Sequence, residues 1–449
     1  MGSFRDMQLN MTGYWILLKP DMKKDLVLGI DFGTSNSLAG AWSEGKRIEA
    51  FALDPLAADP TLLRTLLYFP DPENCFYGQV AIQKYLENEM EGRFFRSFKS
   101  HLPNRSYLGT FLKNRVLTLE NLVGQFLLEI KKRAEEQLGQ PVDTAVLGRP
   151  ARYSMDVMED EFALHRMKKA AEFAGFKNFE FVPEPLAAAF DYRRQLTSEK
   201  KVLIGDFGGG TSDFTIIRMG PYPFKKEHVL GLEGCALAGD AMDSLFMSQK
   251  LSDFFGAKAR YKVSMGRNIL TMPPSVMTRL NQPAHTVHLK EKETYEFIRD
   301  VQKGALDDSD RDAIERLLVL VEDQQIFSFF EQIEKTKRTL SGKDESDFQF
   351  DYPSLEINMK FDRTNFENWA QPAKEKIFAA LDLCLKQAQL SPSDVDLVCL
   401  TGGSAQIPLI RKEFENRFGV EKLQTQSHFH SVLSGLIESA GFYSQGHLF

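Results

Sequence analysis

Two aspartates, Asp31 and Asp206, stand at the same point of two similar sequence segments. Residues 26–42 read LVLGIDFGTSNSLAGAW and residues 201–217 read KVLIGDFGGGTSDFTII. In each segment an apolar run ends in Asp-Phe-Gly, and small residues and a second strand-like run follow, which is the pattern of a β-hairpin. A carboxylate at each strand end can hold Mg²⁺, usually through the waters that this ion retains. The sequence therefore predicts two related halves, each with a carboxylate beside a small-residue turn.

The small residues that follow each aspartate suit a polyphosphate. Glycine lets backbone N–H groups approach a phosphate oxygen closely, and serine and threonine hydroxyls add further donors. A third glycine turn at residues 402–403 precedes a predicted helix, whose N-terminus would favour an anion or the polar parts of a nucleotide. We therefore expect phosphates to lie between the two hairpins.

The elements that must position these turns alternate between strand and helix. Apolar spacing predicts a helix over residues 121–138, and the run PEPLAAAF at residues 183–190 begins another. Residues 309–341 read as one further helix, and residues 396–400 read as a buried strand that leads into the third glycine turn. This alternation predicts an α/β protein.

Composition excludes several classes of protein. The 449 residues correspond to two to four structural units, and 43% hydrophobic with 26% charged residues is typical of a globular protein. A net charge of -7 argues against a general nucleic-acid or anionic-membrane binder, and no apolar run reaches the ~18–20 residues of a membrane span. Neither a disulfide framework nor a zinc site is indicated by the four cysteines Cys75, Cys235, Cys384 and Cys399, so we expect a cytoplasmic protein.

Taken together, these segments resemble the ATPase domain of the heat-shock protein 70 (DnaK-like) family, and most closely its short, YegD-like branch. The resemblance covers roughly residues 26–445. It implies an actin-like ATPase (ribonuclease H-like) fold of two lobes, each with an inserted subdomain, and ATP or ADP with Mg²⁺ in the central cleft. The matching motifs are GIDFGTSNS, GDFGGGTSDF, VPEPLAAAF, EKTKRTLS and TGGSAQIP.

The resemblance also implies a role for each matched residue. Asp31 and Asp206 would orient the waters of Mg²⁺, and Glu184 would assist the ion or the attacking water. Lys99, from the looser match Phe98-Lys99-Ser100, would neutralise charge on the γ-phosphoryl group, and Thr211 would lie near that group and its attacking water. The implied phosphate contacts are Gly33, Thr34, Ser35, Asn36, Gly208, Gly209 and Gly210, and the implied nucleoside contacts are Glu334, Lys337, Arg338, Ser341, Gly402, Gly403 and Ser404.

Each of these residues also has a simpler interpretation. Asp31 and Asp206 could cap turns, and Glu184 could cap the N-terminus of its own helix. Lys99 could be an ordinary surface lysine. The charged residues of EKTKRTLS could form ion pairs at spacings of three and four along an exposed helix. These alternatives differ from the nucleotide hypothesis in the burial and the partners that they require.

The chain departs from the family pattern at three places. Residues 237–240 read Leu-Ala-Gly-Asp, so one glycine of the family's pair is lost. Gln406 stands where many members place an arginine against the adenine, and Phe429 stands where an acidic residue is usual. These departures concern the predicted adenine contacts more than the phosphate contacts.

The expected organisation follows from the repeat and the resemblance. Residues 1–24 are expected to be a leader outside the fold. Residues 25–200 would form lobe I, with an insertion at about 43–118, and residues 201–449 would form lobe II, with an insertion at about 236–340. No segment matches the family's peptide-binding domain.

The predicted function is a Mg²⁺-dependent ATPase with a chaperone-like or regulatory role. Its partners would be the nucleotide and an unidentified client or regulatory protein, with no nucleic acid and no membrane. Three alternatives remain open at this point: a nucleotide-sensing switch with little hydrolysis, a small-molecule kinase of the same fold, and an actin-like filament former.

Overall fold

The computed structural model describes residues 26–446, except 90, 113–114, 194–195, 223–225, 264–267 and 426–429. The predicted leader at residues 1–24 and the departure at Phe429 lie outside the described residues. Within the described ranges, no helix is long and apolar enough to cross a membrane.

The first half of the chain contains a mixed sheet built around the first Asp-Phe-Gly hairpin. Leu26–Phe32 pairs antiparallel with Asn36–Ser43, which pairs antiparallel with Lys46–Ile48. On its other side, Leu26–Phe32 pairs parallel with Thr144–Arg149, which pairs parallel with Asn178–Pro183. The first strand of the hairpin is therefore central, and Asp31 lies near its carboxyl end.

The second half repeats this arrangement. Lys200–Phe207 pairs antiparallel with Ser212–Met219, which pairs antiparallel with Val229–Cys235. Its other neighbour is the parallel strand Leu397–Thr401, followed by Leu423–Thr425. Strand order and direction are the same in the two sheets. The predicted pair of hairpins and the predicted α/β class are thus confirmed.

Helices cover both faces of the sheets, which is why the central strands are apolar on both faces. Leu119–Leu138 and Val157–Phe173 pack on one face of the first sheet. Glu184–Arg193 and Ser431–Ser444 pack on its other face, in one apolar cluster that also contains Val202 of the second sheet. These two helices therefore join the sheets through a shared core.

Local sequence explains where the main helices begin and end. Leu119–Leu138 is capped by Thr118, whose hydroxyl accepts a hydrogen bond from the Asn121 N–H at 3.2 Å, and it ends at Gly139 with a φ of 68°. This agrees with the predicted helix to within two residues at its start. The glycine is required there because the left-handed region is strained for most side chains.

The single helix predicted over residues 309–341 is wrong. The structure has two helices, Asp308–Glu322 and Ile326–Gly342, separated by Gln324 with a φ of 57°. The reason is tertiary: the Tyr85 hydroxyl donates to the Gln324 side-chain oxygen at 3.0 Å, which holds the break in place. Apolar periodicity continues across the break and so conceals it.

The remaining elements form the smaller sheets and the outer helices. Leu63–Arg64 extends the first sheet at Asn36–Ser43. The other strands are Leu66–Phe69, Phe76–Tyr77, Arg93–Arg96, Gly109–Leu112, Arg115–Thr118, Arg260–Lys262, Ile269–Thr271, Glu345–Phe350 and Ile357–Asp362. The other α-helices are Gly78–Glu87, Gly239–Gln249, Pro274–Asn281, Lys292–Lys303, Arg363–Ala388 and Pro408–Phe418, and short 3-10 helices lie at Phe98–His101, Lys226–His228, Leu251–Phe255, Pro283–Lys290, Pro392–Asp394, Gly403–Gln406 and Val420–Lys422.

The two halves also meet away from the shared core. Phe327, from the start of the helix Ile326–Gly342, enters an aromatic cluster of the first half, with its ring centroid 4.7 Å from that of Phe94. Arg64 of the first half makes a bidentate ion pair with Glu331 of the same helix, at 2.9 and 2.6 Å. This helix is therefore fixed against the first half at two adjacent points.

Close packing of the helix Ser431–Ser444 on the helix Glu184–Arg193 depends on Gly435, because a Cβ there would overlap the backbone of Ala187. We predict that Gly435→Ala lowers the free energy of unfolding by about 3 kcal/mol, since the obstacle is backbone and has little room to move. Urea unfolding measures this loss of stability.

The matched control is Gly342→Ala, where a Cβ meets no described atom within 4 Å. There the free energy of unfolding should change by no more than about 1 kcal/mol. Equal effects of the two substitutions would contradict the packing assigned to Gly435.

Candidate functional site

A cavity of about 390 Å³ lies between the two halves. Its volume is in the range of small-molecule and cofactor sites. Residues from both hairpins, the helix Ile326–Gly342 and the third glycine turn line its wall. The sequence-predicted residues that line it are Asp31, Gly33, Thr34, Ser35, Asn36, Glu184, Asp206, Gly208, Gly209, Glu334, Lys337, Arg338, Ser341, Gly402, Gly403 and Ser404.

Three predicted residues lie just behind this wall. Lys99 contacts the cavity residue Glu184 through its ammonium group. Gly210 faces the first hairpin, where a Cβ would lie 3.0 Å from the Thr34 hydroxyl oxygen. Thr211 closes the second turn, since its carbonyl accepts from the Gly208 N–H at 3.0 Å. The structure thus brings the predicted residues together, while their roles stay predictions.

The two hairpin turns face each other closely. A Cβ at Gly209 would overlap the Ser35 hydroxyl of the opposite turn, and a Cβ at Gly33 would overlap the carbonyl oxygen of Asn36 in its own turn. Larger residues at these positions would therefore fill or distort the turns. Small residues leave backbone N–H groups accessible at a place where two turns can approach one anion from opposite sides.

Three acidic side chains line the floor of the cavity between the hairpins. Glu184 and Asp206 are each 8% exposed. Burial and the neighbouring Glu184 raise the pKa of Asp31 well above its ordinary value. The same two causes raise the pKa of Asp206 to about 6, although a hydrogen bond donated by Thr401 at 2.6 Å acts in the opposite direction. Burial, and after it the neighbouring negative charge, therefore destabilise the ionised forms of Asp31 and Asp206.

Lys99 is the cation that faces these carboxylates. Its Nζ lies 2.8 Å from a Glu184 carboxylate oxygen and donates to the Phe32 carbonyl at 2.5 Å. Burial would lower the pKa of Lys99, but Glu184 and Asp31 hold it above its ordinary value. Lys99 is 6% exposed, so its interpretation as a surface lysine is wrong. Glu184 does begin the helix Glu184–Arg193, but its carboxylate is also engaged by Lys99.

The carboxylates fit a hydrated magnesium ion. Their raised pKa values show that the floor would be stabilised by further positive charge, and carboxylate oxygens are the ligands that Mg²⁺ prefers. Across the described ranges, no group of three His, Cys, Asp or Glu residues is close enough to hold a bare metal ion. The carboxylate chemistry therefore fits Mg²⁺, and the roles of Asp31 and Asp206 in holding it stay predictions.

The helix Ile326–Gly342 supplies the wall at the predicted nucleoside end. Lys337 is 9% exposed, and its Nζ lies 2.8 Å from Asp243 and 3.1 Å from the carbonyl oxygen of Gly239. Burial raises the pKa of Asp243 to about 7, against the lowering effect of Lys337. An exposed-helix ion pair is thus the wrong interpretation for Lys337, but it describes Arg338, whose guanidinium lies 3.6 Å from Glu334.

Sequence reasoning missed several polar residues of the site. Thr401, which holds Asp206, directly precedes the third glycine turn, and that position was its only signal. Asp213 lies within the second hairpin motif and accepts from the Ala151 N–H at 2.7 Å. Burial and Glu184 raise the pKa of Asp213 well above its ordinary value. The other missed cavity residues are Arg64, Thr65, Arg96, Ser97, Asp240 and Asp243.

Comparison with known proteins gives a consistent result. The family model described as "Hsp70 protein" matches residues 85–287 and 318–435, which is more than half of the chain. The chaperone protein DnaK of Thermosipho melanesiensis is 26% identical over 411 residues, covering 89% of this chain and 56% of that protein. DnaK of Thermotoga neapolitana is 25% identical over 425 residues (92% and 59%), and DnaK of Thermoplasma volcanium is 26% identical over 408 residues (88% and 54%). The chain thus spans little more than half the length of these relatives.

The Lys99–Glu184 ion pair can be tested by its effect on stability. Lys99→Met leaves buried carboxylates without their cation, so we predict a loss of about 3 kcal/mol in the free energy of unfolding at pH 7. The double variant Lys99→Met/Glu184→Gln should recover part of this loss, because the amide is neutral. Urea unfolding without nucleotide gives both values.

The matched control for this test is Lys169→Met. It removes an exposed ion pair to Glu172 of similar length, 3.0 Å, and should change stability by less than about 1 kcal/mol. If Lys99→Met costs no more than Lys169→Met, the floor of the cavity does not depend on the buried pair.

Proposed function

Since this chain belongs to the Hsp70 protein family, we propose that it is an ATP-binding, Mg²⁺-dependent ATPase resembling the nucleotide-binding domain of that family's chaperones. Family membership implies an actin-like ATPase fold, and the repeated sheets agree with it. The observation that carries the proposal is that one cavity between the halves collects residues from all five motifs. A chance match of short motifs would not place them around one space.

We propose the predicted division of the chain as its domain organisation. Residues 25–200 form lobe I and residues 201–449 form lobe II, with the nucleotide in the cleft between them. The packing supports one refinement: the helix Ser431–Ser444 lies on the first sheet, so it belongs structurally with lobe I. The chain would then cross between the lobes twice, near residue 200 and again before this last helix.

The two hairpin turns would hold the phosphates, and the carboxylates would hold the metal ion. N–H groups of residues 33–36 and 209–210 would donate to the phosphate oxygens from opposite sides, while Gly208 shapes the second turn through its N–H bond to the Thr211 carbonyl. Asp31 and Asp206 would bind Mg²⁺ through its waters. When bound, Mg²⁺ supplies charge neutralisation for the phosphates and fixes their orientation.

The chain's own residues would then act on the attacking water. Glu184 and Asp206 lie on the cavity wall as proton acceptors, and Thr401 keeps one Asp206 oxygen oriented through its hydrogen bond. Lys99 would stabilise negative charge that develops on the transferring phosphoryl group. Thr211 would position the water near that group. Closure of the two lobes would exclude bulk water from this space.

The nucleoside would lie against the helix Ile326–Gly342 and the third glycine turn. Glu334, Lys337, Arg338 and Ser341 face the cavity from one side, and residues 402–404 face it from the other. Gln406 also lines the cavity, so an amide would contact the nucleoside where many family members use arginine. An amide lacks the planar positive charge that stacks on a base.

The wider role that we propose is chaperone-like and cytoplasmic. The curated relatives are named chaperone protein DnaK, and the net charge of -7 does not favour nucleic acid or an anionic membrane. A client or regulatory protein would respond to the nucleotide-dependent arrangement of the lobes.

A nucleotide-sensing switch with little hydrolysis is the second candidate, and one observation favours it. Both contacts of the Lys99 ammonium, to Glu184 and to the Phe32 carbonyl, hold it to lobe I. To reach a phosphoryl group, it must break a buried ion pair. Slow turnover with tight binding would follow if this pair persists when nucleotide is bound.

ATP turnover by the purified chain tests the proposal. We predict Mg²⁺-dependent release of phosphate that falls by at least about 100-fold in Asp206→Asn, because the amide keeps the shape and the Thr401 contact but not the charge. The matched control is Asp347→Asn in the strand Glu345–Phe350, an exposed residue away from the cavity, which should leave turnover unchanged.

Calorimetry measures the affinity of the same purified chain for ATP, in parallel with the turnover assay. Tight binding without turnover would favour the switch over the ATPase. A chain that neither binds nor hydrolyses ATP in the presence of Mg²⁺ would contradict both candidates.

A further inference from the structure

Arg96 is a cavity residue that none of the five motifs contains. It ends the strand Arg93–Arg96 of the first half, three residues before Lys99. Its guanidinium carbon lies 5.7 and 5.9 Å from the ring centroids of Phe327 and Phe330, both on the helix Ile326–Gly342 of the second half. Arg96 therefore reaches across the cleft and is held by aromatic rings on the far side.

The guanidinium of Arg96 has an unpaired hydrogen-bond donor. Its Nη1 is buried and has no hydrogen-bond partner. A buried N–H without an acceptor is costly, and a ligand that supplies an acceptor recovers this free energy. Other cavity-side cations are already paired at short distances: Lys99 with Glu184 at 2.8 Å, Lys337 with Asp243 at 2.8 Å and Arg64 with Glu331 at 2.6 Å. Within the described part of the cavity, Arg96 has no ion pair within 4 Å.

Arg96 lies near the second hairpin turn, which is proposed to hold phosphate. Its acidic neighbours are Asp240 and Glu331, and Glu331 is already paired with Arg64. Burial raises the pKa of Asp240, and Arg96 acts to lower it. The Asp240 N–H donates to the carbonyl oxygen of Gly209 at 2.8 Å, so Asp240 is directly bonded to the second phosphate turn. The Asp240 carboxylate also lies 3.5 Å from where a Gly209 Cβ would be. Arg96 is therefore separated from that turn by one side chain.

The residue after Arg96 strengthens this placement. The Ser97 side chain acts to lower the pKa of Asp240, against the larger raising effect of burial. Its backbone has a φ of 51°, in the left-handed region that is strained for serine. Such strain persists only where surrounding contacts hold the backbone in place. Here the left-handed backbone at Ser97 lets Arg96 and Lys99 approach the cleft from one short segment. Lys337 also acts to lower the pKa of Asp240, so other groups still favour its ionised form when Arg96 turns to a ligand.

We propose that Arg96 binds the terminal phosphate of the nucleoside triphosphate and makes this site select ATP over ADP. The inference rests on the proposed function, and it adds a specificity-determining residue to it. A guanidinium offers two parallel N–H donors that match phosphate oxygens, and its aromatic support pre-organises it. Because Arg96 projects from lobe I onto lobe II, its contact with a terminal phosphate would also favour the closed cleft.

Calorimetry of the full chain with Mg²⁺ and ATP, ADP or AMP tests this inference. Arg96→Gln should weaken ATP binding by about 10–100-fold, as expected for a lost charged hydrogen bond, and weaken ADP and AMP by less than about threefold. Arg96→Lys should restore part of the ATP affinity, because it keeps the charge and loses the two-donor geometry.

The matched control is Arg105→Gln. Arg105 also stacks on a phenylalanine, with its guanidinium carbon 5.4 Å from the Phe162 centroid, but it is not among the cavity residues. It should leave affinity for all three nucleotides unchanged. Thermal unfolding of each variant checks that it is folded. If Arg96→Gln does not fold, the ATP and ADP affinities of Arg96→Lys decide whether Arg96 binds the terminal phosphate.

Two results with the Arg96→Gln variant would overturn the inference. Equal weakening of ATP and ADP by Arg96→Gln would show that Arg96 only holds the lobes together, and unchanged ATP affinity would show that it contacts no phosphate. Absence of nucleotide binding by the wild-type chain would overturn the proposed function and the inference with it. That outcome is distinct, because it is seen before any variant is compared.

Discussion

The buried ion pair between Lys99 and Glu184 is the interaction on which the rest of the site depends. It provides positive charge to a floor where burial and the nearby Glu184 carboxylate raise the pKa values of Asp31 and Asp206. One lysine does not balance three carboxylates, so the floor favours a further cation. In the proposed function, a metal ion that arrives with a polyphosphate would meet this need, while the hairpin turns would supply donors for the phosphates.

The repeated sheet places the two aspartates of the floor at equivalent positions. Each sheet puts its aspartate near the carboxyl end of a central strand, and each hairpin turn follows directly. Two helices between the sheets, Glu184–Arg193 and Ser431–Ser444, join the halves through a common core and carry Glu184 to the cavity. The contacts of Phe327 and Glu331 with the first half fix the opposite wall. Rearrangement of the cleft must therefore pivot on the shared core and break these outer contacts.

Local sequence patterns predicted those elements whose structure is set by residues close together in the chain. The Asp-Phe-Gly turns follow from glycine and strand chemistry, and the helix at 121–138 follows from its spacing and its glycine stop. The break at Gln324 was not visible, because a contact with Tyr85 from a distant segment holds it. Asp243 and Arg96 were missed for the same reason: only packing shows that one pairs with Lys337 and the other crosses the cleft. Sequence alone also gave no means to see that Lys99 is buried.

Hydrogen–deuterium exchange with Mg²⁺ and ATP tests the central claim that two turns from opposite lobes grip one polyphosphate. The backbone amides of residues 33–36 and 209–211 should slow together, by at least about tenfold, because their N–H groups become hydrogen-bonded and shielded when nucleotide binds. Mg²⁺ alone should leave both segments unchanged, since the ion is held through water and phosphate. Protection of one turn without the other, or of neither while ATP is bound, would contradict the shared-phosphate account.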